Sequence, residues 1–101
     1  MKDLPITCTL HSAALDARRE HLLGGLISCV LERIEIPDGY RVRFQSDDGV
    51  LTRIASVVET ERRCCKFLTF RLTAEPDDGA IWLEVSGPPG TREFLRAVFN
   101  F

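Results

Sequence analysis

Apolar and polar positions recur along this chain at two different periods. In residues 4–10, Ile6, Cys8 and Leu10 share one face and Thr7 and Thr9 the other, the period-two pattern of a half-buried strand. From His11-Ser12 onward the period lengthens. Leu15, Leu22, Leu23, Leu26, Ile27, Val30 and Ile34 fall on one broad helical stripe, with Ser12 suited to cap it and Asp16 near its positive end. Gly24-Gly25 interrupts that stripe. Each glycine costs about 1 kcal/mol relative to Ala inside a helix, so a kink or a close packing contact is expected there.

Pro37-Asp38-Gly39 is a turn signal that closes this helical stretch. Period two then returns in residues 40–45, with Tyr40, Val42 and Phe44 on one face and Arg41 and Arg43 on the other. Ser46-Asp47-Asp48-Gly49 offers capping oxygens and early negative charge to a second helix. Its stripe is Leu51, Ile54, Ala55 and Val58, and it reaches about Cys65. Residues 67–73 and 80–86 form two strands around Glu75-Pro76-Asp77-Asp78-Gly79, a hairpin signal, with Leu68, Phe70, Leu72, Ile81, Leu83 and Val85 facing inward. Gly87-Pro88 opens a closing helix that carries Phe94, Leu95, Val98 and Phe99.

The expected order is therefore β-α-β-α-β-β-α. One apolar face per strand and three amphipathic helices imply an α+β, two-layer sandwich, a four-stranded sheet with its helices on one face. No internal repeat, low-complexity tract or linker divides the chain, so residues 1–101 read as one domain. Strand order stays open. The other sheet face would carry Arg41, Arg43, Thr69, Arg71, Trp82 and Glu84. A tryptophan among arginines there reads either as a partner surface, with a homodimer the first expectation, or as a solvated face with one exposed aromatic.

Composition narrows the function. Thirteen Lys+Arg against fifteen Asp+Glu leave a net charge of −2. That balance gives no reason to expect a nucleic-acid or acidic-lipid binder. No stretch approaches the roughly 20 apolar residues that span a bilayer, and the first residues, with Lys2 and Asp3, do not look like a signal peptide. A cytoplasmic location is expected, and there the four cysteines read as thiols rather than as a disulfide framework. No Ser/His/Asp set, phosphate-cradling glycine loop or His-Glu-x-x-His occurs, which argues against a hydrolase or a kinase. Gly87-Pro88-Pro89-Gly90 is no anion site, because two prolines remove the amide donors one needs.

The chemistry then concentrates in Glu59-Thr-Glu61-Arg62-Arg63-Cys64-Cys65-Lys66-Phe67. At about 100° per helical residue, Cys65 falls on the stripe of Leu51, Ile54 and Val58, facing the core, while Cys64 falls on the flank beside Val57 and Glu61. Arg62, Arg63 and Lys66 would favour thiolate at an edge-facing Cys64, against the negative end of the helix. Cys8 lies on the inward face of the first strand, so Cys8, Cys64 and Cys65, with or without His11, could hold a soft ion such as Hg(II), As(III), Cu(I) or Zn(II). Glu61 would act as an acceptor behind these ligands. Cys8-Thr-Leu-His11 with Cys64-Cys65 has the composition of a Cys₃His zinc set, but vicinal cysteines reach one tetrahedral ion only with strain, and softer ions that accept two or three sulfurs fit better. His11 and His21 also read as a backbone-bonding imidazole and an outer-face residue, and Cys29 as a packing residue.

The segment Glu61-Arg-Arg-Cys64-Cys65-Lys-Phe67-Leu-Thr-Phe70-Arg-Leu72, with Ile81-Trp-Leu-Glu-Val-Ser-Gly87-Pro88 and Glu93-Phe94-Leu95, resembles a group of small, largely uncharacterised bacterial domains. They share an E-R-x-C-C-x-F-x-x-F-x-L segment and a G-P-x-G-x-x-E-F-L helix. Cys8-Thr-Leu and Gly39-Tyr40-Arg-Val-Arg-Phe44 extend the likeness over nearly the whole chain. Lys66 stands where that group has proline. The resemblance implies a shared fold, a site at Cys64 and Cys65 with Cys8 as third member, and a heavy-metal-response role. Three functions follow as expectations: a soft-metal or metalloid binder acting as sensor, buffer or accessory factor; a homodimeric interaction module with structural cysteines; and a thiol redox protein.

Overall fold

A computed structural model describes residues 25–99. Residues 25–27 are helical. They are followed by strands β1 (Val30–Ile36) and β2 (Gly39–Phe44), helix α1 (Val50–Cys64), strands β3 (Thr69–Ala74) and β4 (Ile81–Ser86), and helix α2 (Thr91–Phe99). The four strands form one antiparallel sheet in the order β1-β2-β4-β3. The architecture is α+β, with α1 and α2 packed on one face of the sheet.

The central strands explain the layering. Tyr40, Val42 and Phe44 of β2 lie opposite Val85, Leu83 and Ile81 of β4, and all six are buried. From the helix side Val50, Ile54, Val57 and Leu95 meet them, with Leu26 beside them. Each such side chain contributes about 1.5–3 kcal/mol of burial, so the two middle strands and α1 hold most of the fold together. The intervening positions, Arg41, Arg43, Trp82 and Glu84, turn to the other face, as the alternation predicts.

Both hairpins are built by residues that tolerate positive φ. Asp38 adopts φ 59° between β1 and β2, and Asp77 and Asp78 adopt φ 61° and 54° between β3 and β4. Two consecutive left-handed residues match the right-handed twist of the strands they join. The left-handed conformation therefore falls on the two aspartates rather than on Gly79.

The strand expected at residues 4–10 lies outside the described residues. Two local expectations change. The helical stripe expected to run through Val30 and Ile34 does not extend that far, because Val30–Ile36 is strand β1. On the helix-facing side of β1 stand Arg33 and Glu35, opposite Val42 and Tyr40. Glu35 takes ion pairs from Arg96 at 2.9 Å and Arg92 at 3.9 Å of α2. A polar inner face erased the period-two signal and left a spurious helical one. At α1, the N-cap is Gly49 in a left-handed conformation (φ 84°), and no side chain of Ser46, Asp47 or Asp48 caps the helix.

Candidate metal centre

The buried face of α1 is Val50, Ile54, Val57, Glu61 and Cys64, spaced i, i+4, i+7, i+11, i+14. That spacing is one straight helical stripe. It is rotated from the expected one: Leu51 is exposed, and Val50 and Val57 take its place in the core. Glu61 in the stripe hides the pattern, since a carboxylate in a core position is rare without partners. Thr60 beside it is satisfied locally, donating its hydroxyl to the Ser56 carbonyl at 3.1 Å.

The rotation moves Cys64 from the edge to the interior. Its relative exposure is 0%, as is that of Cys65. The expectation of an edge-facing Cys64 thiol is thereby corrected. The cations expected around it point outward: Arg62, Arg63 and Lys66 are exposed, and Arg63 pairs with Glu59 one turn back at 3.6 Å.

Cys65 reaches the same place by leaving the helix. Its backbone sits at φ −115°, ψ 79°, outside helical space, while its amide still donates to the Glu61 carbonyl at 2.6 Å. The uniform rotation of about 100° per residue therefore stops at Cys64, and the next side chain can turn back toward its neighbour. Vicinal cysteines diverge within a helix but converge across a helix end. The Cys65 thiol donates to Oε2 of Glu61 at 3.8 Å. One donor atom from each of Glu61, Cys64 and Cys65 lies within 4.8 Å of the other two, all three being buried. Glu61 is thus one of three buried side chains whose donor atoms converge.

A small apolar shell closes over the sulfurs. Phe67 packs on Cys64 and Cys65, with Leu68 and Phe94 against them. The Phe67 and Phe94 rings meet edge-to-face at 5.0 Å, tying the segment after α1 to α2. Among the described residues neither Cys64 nor Cys65 is in a disulfide, and neither is Cys29, which is half-buried and donates to the Gly25 carbonyl at 3.6 Å.

The three donor atoms lie close enough together to hold one metal ion, and thiolate sulfur in general favours soft and borderline metals. Cys8, His11 and His21 lie outside the described residues.

The other surface singled out by the sequence is also assembled. On the face of the sheet away from α1 and α2 the Arg41 guanidinium lies 4.2 Å from the Trp82 ring centroid and that of Arg43 lies 5.9 Å away. Arg43 pairs with Glu32 at 3.1 Å and Arg71 with Glu84 at 3.8 Å. Among the described residues no helix is long and apolar enough to cross a membrane. No protein-family model, curated protein or solved structure matches the chain.

Proposed function

We propose that this protein binds a soft metal or metalloid ion through Cys64 and Cys65 with Glu61, serving in the cytoplasm as a sensor, buffer or accessory factor. The observation that carries the reading is the convergence of three buried donors within 4.8 Å. With both thiols deprotonated for binding, the two sulfurs and the carboxylate carry three negative charges at a buried site. Burial of that charge is costly unless a cation compensates it. Hg(II), As(III), Cu(I) and Zn(II) all form bonds to sulfur strong enough to displace the thiol protons. Cys8 and His11 complete the proposed ligand set, and the resemblance to domains linked with heavy-metal response supports the same role.

Titration under reducing conditions tests it, with Hg(II), As(III), Cu(I) and Zn(II) added to the wild type and to Cys64→Ser/Cys65→Ser. Tighter binding by the wild type of at least one ion is the expected outcome. Equal binding of all four by both proteins sinks the proposal.

A second reading rests on a separate observation. Trp82, gripped by Arg41 on the sheet face away from α1 and α2, suits an isologous contact between two copies of the chain. Loss of dimer on Trp82→Ala, with ion binding untouched, would support it.

A further inference from the structure

The three donors at the end of α1 are not chemically alike. Two are sulfur and one is a carboxylate oxygen, and one atom of each lies within 4.8 Å of the other two. Thiophilic ions treat that third donor differently. Cu(I) and Hg(II) are satisfied by two thiolates placed in a line, and As(III) bonds sulfur in strong preference to carboxylate. Zn(II) takes cysteine sulfur and glutamate oxygen together in one tetrahedral shell. A buried glutamate among the donors thus serves Zn(II) and burdens the softer ions, which leave its charge without a partner.

The spacing agrees. Tetrahedral bonds of ~2.3 Å to sulfur and ~2.1 Å to oxygen separate those two atoms by about 3.6 Å. Sγ of Cys65 and Oε2 of Glu61 stand 3.8 Å apart. The strain expected when adjacent cysteines share a tetrahedral ion is also lessened, since Cys65 has left the helical backbone at ψ 79°.

Resting on the proposed ion-binding role, we infer that the site is selective for Zn(II), with Glu61 as the ligand that selects it. The exchange is Zn²⁺ + 2 Cys–SH + Glu–COO⁻ → [Zn(S–Cys)₂(OOC–Glu)]⁻ + 2 H⁺. Two S–H bonds break, two Zn–S bonds and one Zn–O bond form, both protons pass to solvent, and no electron is transferred. The buried group carries one negative charge before the exchange and one after it. Zn(II) therefore adds no charge to an interior where all three side chains are buried, whereas Cu(I) in the same place would leave two negative charges. The fourth tetrahedral position falls to Cys8 or His11 of the proposed ligand set.

Two measurements under reducing conditions test this. Co(II), the spectroscopic substitute for Zn(II), should give the wild type the strong visible absorption of a four-coordinate ion with a sulfur-to-cobalt charge-transfer band, and Zn(II) should bleach both. Glu61→Gln should lower Zn(II) affinity about 10–100-fold in chelator competition and leave Cu(I) affinity unchanged. A packing role for Glu61 would instead weaken both ions together. Should the variant fail to fold, the wild-type cobalt spectrum alone decides. A wild type that holds Hg(II) or Cu(I) better than Cys64→Ser/Cys65→Ser does, yet gives only the weak spectrum of six-coordinate Co(II), overturns the selectivity and leaves the ion-binding role intact. Equal loss of Zn(II) and Cu(I) affinity in Glu61→Gln overturns it too. If none of Hg(II), As(III), Cu(I) and Zn(II) is held better than by Cys64→Ser/Cys65→Ser, the ion-binding role itself fails.

Discussion

The Cys65 thiol and the Glu61 carboxylate face each other at 3.8 Å inside the protein, joined also by the bond from the Cys65 amide to the Glu61 carbonyl. Glu61 is 2% exposed. Such a carboxylate costs stability unless it answers a need, and here it adds an oxygen donor to two sulfurs. Glu61→Gln keeps the shape and one oxygen but removes the negative charge. Affinity for Zn(II) should fall about 10–100-fold, the usual effect of altering a group that supports a metal site. Thermal stability of the ion-free protein should be retained or raised. A chromophoric-chelator competition and a melting curve on the same variant check both. Unchanged affinity would assign Glu61 a packing role.

Burial of both sulfurs sets their reactivity. With Cys8 and Cys29 replaced by Ser, alkylation of Cys64 and Cys65 by iodoacetamide should require an opening of the fold. The native rate should lie at least about 100-fold below the rate in urea, since local openings that expose core positions cost several kcal/mol. Bound Hg(II) should slow it further. Fast native alkylation at Cys64 would restore the exposed thiol that helical periodicity suggested.

Much of the middle of the fold was legible because its strands follow the alternation rule. Tyr40, Val42 and Phe44, and Ile81, Leu83 and Val85, face the core as their spacing requires. β1 was hidden for a specific reason. Among the described strands it lies at the edge of the sheet, its inner positions include Arg33 and Glu35, and Glu35 serves the arginines of α2 rather than the core. Leu72 shows the same edge effect on β3: it faces inward yet stays 41% exposed. At the site, the sequence pointed to the cysteine pair, because adjacent cysteines beside a helix end are unusual. It could not show that Glu61 joins them. That depends on one residue, Cys65, leaving helical φ/ψ, and on a stripe turned by one position from Leu51 to Val50.

Two glycines hold the fold for different reasons, and substitution separates them. A Cβ on Gly39 would land on the Val85 carbonyl and against Ser86, where the first residue of β2 pairs with the last residue of β4. Gly49 has nothing within 4 Å of such an atom but sits at φ +84°. Gly39→Ala should cost about 1–3 kcal/mol through crowding, and Gly49→Ala about 1–2 kcal/mol through backbone strain alone. Urea midpoints measure both. Replacing Gly49 by Asn, which tolerates left-handed backbone, should recover part of the loss, whereas Gly39→Asn should be worse than Gly39→Ala. Equal behaviour at the two positions would contradict this division.

The sheet face away from α1 and α2 yields the last prediction. Arg41 stacks on Trp82 at 4.2 Å, while Arg43 divides its charge between Trp82 and Glu32. In an isolated chain this is an exposed cation–π contact, and a double-mutant cycle of Arg41→Ala and Trp82→Ala should give a coupling of about 0.5–1 kcal/mol. The surrounding ion pairs, Arg43–Glu32 and Arg71–Glu84, are exposed and should add little. If two copies meet on this face, the contact is desolvated and the coupling should rise toward about 2 kcal/mol, with a dependence on protein concentration. Sedimentation equilibrium and urea titration at two widely separated concentrations distinguish the cases. A small coupling, independent of concentration, together with a monomeric mass, would leave Trp82 a solvated residue steadied by Arg41 and would remove the dimer reading.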